Sequence, residues 1–420
     1  MKKLSLALML MSLFFSCNND DDQITVPECI TPYNLTETNI TYQSAIAHWE
    51  DDNVDAVYKI EFGVSGFQLG TGQSFTIYDN SYLFTGLSAN TTYDYYVKTI
   101  CDISNESILS SVKSFTTLPN PVIPEFKPTL SELNLFSGNL SNLQPSTYTF
   151  EYELHSALYT DYAHKQRLIA LPLGEEMIYN GDGLPLFPDN TVIAKTFYYN
   201  VDDRDESLGR NIIETRILIK LNGEWEAGNY VWNEAQTEAY LDNDGLELPV
   251  SWIDNNGDTK NVNYKVPSYD DCFTCHQTYG AMTPIGPKLR TLNFSVDDVN
   301  QLQALKDRMF LAGLSDPSTV STLPNWEDTS LSTQKRVRAY FDVNCAHCHS
   351  AGGFHNESYY EALNLDYESD FENTFIYERR YSIMARIQTS IEGYSMPFIG
   401  VTTPHQEALD LIIPYLETLE

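Results

Sequence analysis

Two short stretches of the chain hold residue types that do chemistry: CFTCH, from Cys272 to His276, and CAHCH, from Cys345 to His349. In 420 residues with 7 cysteines and 8 histidines, two copies of one five-residue pattern are not a product of chance. Four chemistries use cysteines at this spacing: zinc coordination, disulfide formation, dithiol exchange and covalent haem attachment. Structural zinc sites join their two cysteine pairs through a loop of about 12 to 20 residues. Here the pairs stand about 70 residues apart, each followed at once by histidine. A redox dithiol needs its Cys-x-x-Cys after a strand in an α/β unit, and neither copy lies in one. Cys-x-x-Cys-His is the signature of haem c attachment. Within a helical turn, residues i, i+3 and i+4 point to one side, so both thiols reach the two vinyl groups while the histidine meets the iron. The pattern predicts two covalently attached haem c groups, held by Cys272, Cys275, Cys345 and Cys348, with His276 and His349 as iron ligands.

The second copy has further support. Val337, Tyr340, Phe341, Cys345 and Cys348 recur at three- and four-residue steps, which predicts a helix running into the motif. A glycine-bearing loop follows His349, and GYSMPF places Met396 before a final helical stripe of Leu409, Ile412, Ile413 and Leu416, which Pro414 is expected to kink or shorten. That order resembles class I cytochrome c. The resemblance implies Met396 as the second axial ligand of the iron at His349, a ligation that raises the potential and closes the site. Extended sequence precedes the first copy where such a protein has a helix. After it, PIGPKL resembles the Gly-Pro-x-Leu of cytochromes c, which implies that the Pro287 carbonyl accepts a hydrogen bond from His276. Opposite His276 no distal ligand stands out. Met282 is too close in sequence, and His164, Met309 and His355 are the candidates, with His164 preferred.

The elements that position these residues follow from the rest of the chain. Lys2 and Lys3, an apolar run and Cys17 read as an export signal over residues 1–17, with Cys17 as the lipidated residue of a lipoprotein. The lipobox is imperfect at Phe14 and Phe15, and a plain secretory signal is the alternative. Residues 18–27 form an acidic tether. The formal charge of −33, from 25 basic and 58 acidic residues, argues against nucleic acid and against docking on anionic lipid, so contact with a membrane is expected through the lipid anchor only. Export to an oxidising compartment pairs the remaining cysteines, Cys29 and Cys101, as a disulfide.

Residues 28–118 alternate in short strands and resemble a fibronectin type III domain, through Trp49, Tyr58 and the LSANTTY turn that leads to Tyr93. Pro119, Pro121, Pro124 and Pro128 mark residues 119–128 as a stiff linker. Residues 129–325 read as a β-rich domain that carries the first haem motif, with strand runs such as TVIAKTFYY and IIETRILIKL. Its acidic turns lack the distal glutamate of a calcium loop. Residues 326–420 read as a helical domain, all-α and class I cytochrome c-like by the resemblance above.

The stretches ELHSALYTDYAHKQRLIALP, KTFYY, ETRILI, DCFTCH to GPKLRTLN and RAYFDVNCAHCH together resemble a family of exported bacterial dihaem c-type cytochromes of uncharacterised role, over about residues 130–420. The resemblance implies a β-rich domain fused to cytochrome modules; with the lipoprotein signal and Met396, the expectation is a cell-envelope protein, lipid-anchored in the outer membrane, that exchanges electrons with a redox partner protein or an extracellular acceptor. The alternative is a dihaem enzyme of the peroxidase or oxidase kind with an open distal site at the first haem.

Overall fold

A computed structural model describes residues 28–359 and 363–419. The signal sequence, Cys17 and the tether lie outside the described residues. The chain divides after Leu118 into two compact units, at the boundary the proline run predicts.

In the first unit, alternate residues turn inward: Ala45, Ala47 and Trp49 from one strand, Tyr58, Ile60 and Phe62 from the next, then Tyr93, Tyr95 and Val97. Strands Tyr33–Thr38, Ser44–Glu50 and Ser81–Thr85 form one sheet. Gln73–Ile77, Val57–Val64 and Thr92–Asp102 form the other, with Asn105–Glu106 and Lys113–Thr116 pairing along the last strand. The Ser88 amide donates to the Tyr93 hydroxyl at 3.0 Å, the tyrosine corner of a fibronectin type III sandwich. Cys29 and Cys101 are joined by a disulfide.

The proline-rich segment after Leu118 is not a free spacer. Val122 and Phe126 pack into the core of the second unit, and Tyr230 donates from its hydroxyl to the Lys127 carbonyl at 2.8 Å. The Phe126 ring lies against Gly228 where any Cβ would collide with it. Beyond this segment runs a six-stranded antiparallel sheet in the order Ala239–Leu241, Glu224–Trp232, Arg210–Leu221, Val192–Asn200, His164–Ala170, Thr149–Glu151. Its residues alternate between two cores. Leu168, Ala194, Ile217 and Tyr230 face one side, while Ile169, Ile193, Leu218 and Ala227 face the segments that carry the first motif.

After Ala312 the described residues contain helices and no strand. Helices Thr333–Asn344, Ile376–Ile387 and Gln406–Glu417 bury Val337, Phe341, Ile376, Ile383, Ile412 and Leu416 in one cluster. The last helix runs through Pro414 without ending there, and its buried stripe is Ala408, Ile412, Tyr415 and Leu416, with Leu409 and Ile413 only partly covered. No described helix is long and apolar enough to cross a membrane.

The expected boundary at residues 325/326 does not separate domains, because residues 119–420 form one unit. Arg290 and Asp342 make a buried ion pair at 2.5 Å, and the Tyr159 amide donates to Asn344 at 2.7 Å. The buried Asp161 carboxylate accepts from the Thr402 and Thr403 amides, each at 2.9 Å. These ties fasten the helices of residues 326–419 to the β-rich part, so the helices form one side of the unit and not a separate all-α domain.

Candidate cofactor site

The first motif sits on a short helix, Tyr269–Cys275, which starts at a reciprocal capping box between Ser268 and Asp271. The His276 amide donates to the Cys272 carbonyl at 2.9 Å, closing one helical turn that sends both thiols and the imidazole the same way. The chain then doubles back: the Thr283 amide donates to the His276 carbonyl, and His276 Nδ1 donates to the Thr283 carbonyl at 3.0 Å. Because a carbonyl only accepts, the proton lies on Nδ1 and the Nε2 lone pair is left for a metal. This corrects the expected role of Pro287. The hairpin Gln277–Thr278 with Ala281–Met282 brings the Thr283 carbonyl to the ring, so Thr283 takes the bond expected of Pro287, which is itself buried.

The second motif follows helix Thr333–Asn344, which is capped by the Ser332 hydroxyl. Its backbone repeats the first: the His349 amide donates to the Cys345 carbonyl at 2.9 Å. A cavity of about 430 Å³ opens between Cys345, Cys348 and His349 on one side and Met396 and Pro397 on the other. The Met396 amide is held by the Arg386 carbonyl at 3.0 Å. His276 lines a cavity of about 450 Å³ with Asn180 and Lys195, and Cys275 and His347 line both this cavity and the other. Both volumes fall in the range of about 300–1,000 Å³ usual for cofactor sites.

The motifs, far apart in sequence, meet in space. The Tyr279 amide donates to the Gly352 carbonyl at 2.8 Å, and the Tyr279 ring lies where a Cβ on Gly352 would fall, at 2.6 Å. The ligand atoms of Cys275, His347 and Cys348 all come within 4.8 Å of one another. The sequence separation that counted against zinc therefore has no counterpart in the fold. What counts against a structural zinc site is the ligand count, three donors among the described residues where such a site has four. Burial pushes Cys272 up to about 11 and Cys345 to about 12, and the hydrogen bond with Cys348, then burial, hold Cys275 well above the ordinary thiol value. The cluster also uses one cysteine of each pair and leaves Cys272 and Cys345 out.

Burial, with Lys195 next in weight, holds His276 down to about 3, and burial beside His355 and His347 does the same for His349. Both imidazoles are neutral at pH 7, as metal ligands must be. The Nδ1 atoms of His347 and His349 are buried without a hydrogen-bond partner. The donor set for a thioether-linked haem is thus present twice, two thiols and a neutral imidazole in one turn: Cys275 and His276 line the first cavity and Cys272 the recess beside it, while Cys345, Cys348 and His349 line the second.

Other expected ligands lie elsewhere. His164 Nε2 meets Asp203 at 2.8 Å and its ring stacks on Tyr198, in neither cavity. Met309 is 71% exposed, Met282 belongs to the apolar core, and His355 lines the second cavity with its ring 4.3 Å from that of His349. The residue that sequence reasoning missed is His347. It lies between the cysteines of the second motif and lines both cavities, and its unusual place inside Cys-x-x-Cys was the signal available.

No family model matches the chain, and comparison with curated proteins finds no match. Similar solved structures include a computationally redesigned β-sandwich protein, at 23% identity over 21% of this chain and 94% of its own, with a TM-score of 0.19. The fibronectin type III domain of human fibronectin type III domain containing protein 3 is 20% identical over 23% of this chain and 91% of its own, TM-score 0.20. The fn3 domain of human contactin 1 is 14% identical over 24% and 91%, TM-score 0.20.

Proposed function

We propose that this chain is an exported dihaem c-type cytochrome that carries electrons, anchored to the outer membrane through lipid on Cys17. The observation that carries the reading is that each Cys-x-x-Cys-His turn borders a cavity, Cys275 and His276 the first and Cys345, Cys348 and His349 the second, which Met396 also lines. When bound, each haem supplies a one-electron ferric/ferrous couple. Cys272 and Cys275 would fix one group and Cys345 and Cys348 the other, with His276 and His349 as axial ligands. Met396 would cap the second iron, stabilising its ferrous form and excluding small molecules. The Cys275 and Cys348 thiols lie within 4.8 Å of each other, so the two attachment points adjoin and would keep the path between bound groups short. The Cys29–Cys101 disulfide supports a location outside the reducing cytosol. The acidic surface favours a basic redox protein or a non-nucleic-acid extracellular acceptor as partner.

A second reading, a peroxidase or oxidase, is favoured by one observation: among the described residues, those lining the cavity at His276 include no methionine and no other histidine but His347. Optical and EPR spectra of the purified, haem-loaded protein, before and after peroxide, separate the two. Two low-spin haems that ignore peroxide support the carrier and exclude the enzyme. A high-spin haem that reacts with peroxide excludes simple electron transfer.

A further inference from the structure

Across the face of the large sheet that looks toward the first motif, Arg167 stands directly opposite Lys195, Lys195 opposite Arg216, and Arg216 opposite Asn229. Directly opposed residues of an antiparallel pair share a face and touch, and like charges there are destabilising. The next row toward Lys165 adds a fourth cation beside Phe197. The fully buried Phe197 ring has Lys165 Nζ at 5.7 Å, Lys195 Nζ at 5.3 Å and Arg216 Cζ at 4.3 Å from its centre. An anion bound there would offset the desolvation of these cations, which stand together in a chain of net charge −33.

The protein supplies only part of it. Glu153 meets Arg167 at 2.9 Å and Glu214 meets Arg216 at 2.5 Å. Neither lysine has a carboxylate within ion-pair distance among the described residues; Lys165 Nζ donates to the Ala163 carbonyl at 2.9 Å instead. At the end of the row, Asn229 is 1% exposed and both its side-chain polar atoms lack partners, as does Arg216 Nε. Lys165, Arg167 and Lys195 line the cavity of His276, and Arg216 lines the adjoining recess with Cys272 and Cys275. The two unmatched cations thus stand at the mouth of the turn that bears the first motif.

We infer that Lys165 and Lys195, on the shelf completed by Arg167 and Arg216, receive the two propionate carboxylates of the group held by Cys272, Cys275 and His276. The inference rests on the dihaem reading above and adds to it an anchor and a tuning charge for one haem only. A carboxylate pair there satisfies both lysines and offers an acceptor to Arg216 in the adjoining recess. The enclosed lysines are expected to respond: burial and the neighbouring arginines hold Lys195 down to about 7 in the bare protein, and two anions restore an ordinary lysine charge.

The test uses full-length, haem-loaded protein carrying Lys195→Met or Lys195→Arg, with haem counted by intact mass. Expected are two haems in every variant and, in Lys195→Met, one of two reduction equilibria weakened about tenfold while the other stays. Resonance Raman should show a shifted propionate bending mode, and Lys195→Arg should restore both signals. Lys165→Met gives the same readouts if the first variant fails to load. Two haems with unmoved potentials and an unmoved Raman mode overturn the inference and leave the dihaem reading standing. An equal effect in the Arg and Met variants assigns Lys195 a packing role and also overturns it. A spectral change on adding inorganic phosphate, lost in Lys195→Met, assigns the shelf to a free anion instead. Wild-type protein without haem overturns the underlying reading itself.

Discussion

Replacing Asp342 with alanine tests whether the helix that leads into CAHCH is locked to the segment that follows CFTCH. The Asp342 and Arg290 side chains are only 2% and 6% exposed and meet at 2.5 Å. Stranding one member of a buried pair costs about 3–5 kcal/mol. Glu368 meets the other guanidinium nitrogen at 2.8 Å from a half-exposed position, so Arg290 keeps one partner and the loss lies near the low end, about 3 kcal/mol. Asp342 also accepts from the Tyr367 amide at 3.0 Å, which adds about 1 kcal/mol. The sum, about 4 kcal/mol, moves the urea midpoint of the second unit down by about 1 M at a slope of roughly 3 kcal/mol per M. Near-UV circular dichroism of the full chain reads this transition. The double variant Arg290→Met/Asp342→Leu recovers most of the loss, because an apolar pair of similar volume removes the stranded charge. A loss below 1 kcal/mol, or a separate helical transition that moves alone, would refute the claim that residues 119–420 unfold as one body.

Three further outcomes are expected. Cys29→Ser with Cys101→Ser lowers the stability of the first unit by about 4 kcal/mol, from the 72-residue separation that the bond closes, and leaves the spectrum of the second unit unchanged by calorimetry and absorbance. His405 stacks on Tyr159 at 4.1 Å, and burial holds it down to about 4. The unfolded chain takes up a proton that the folded one refuses, so stability drops as pH falls from about 6.5 toward 4, by at most about 3 kcal/mol. Denaturation midpoints of His405→Phe across that window should be flatter than wild type, and parallel curves would refute the assignment. Met396→Ala converts one haem of the loaded protein to high spin by EPR; an unchanged spectrum would show that another group caps that iron.

Local structure was legible in the sequence, and long-range geometry was not. The Cys-x-x-Cys-His turns, the inward alternation around Trp49 and Tyr58, and the helix before Cys345 each depend on residues a few positions apart. The disulfide followed from elimination and compartment. Pro287 failed as the partner of His276 because the acceptor is set by a tight hairpin whose geometry the Gly-Pro-x-Leu pattern does not encode. His164 failed because a histidine on a strand edge finds a nearby aspartate more easily than a distant iron. The boundary at 325/326 failed because the change from strand to helix is visible in hydrophobic period, whereas the Arg290–Asp342 and Asp161–Thr402 ties are not. The meeting of Cys275, His347 and Cys348 rests on the contact between Tyr279 and Gly352, which no spacing rule relates.

Intact mass of the full chain, produced in cells that attach haem c and then extracted with acidified organic solvent, tests the central claim most directly. Two haems retained per chain, lost one at a time in Cys272→Ala/Cys275→Ala and Cys345→Ala/Cys348→Ala, are the predicted result. A chain of unmodified mass, with zinc at Cys275, His347 and Cys348 or a disulfide between the two cysteines, would contradict it.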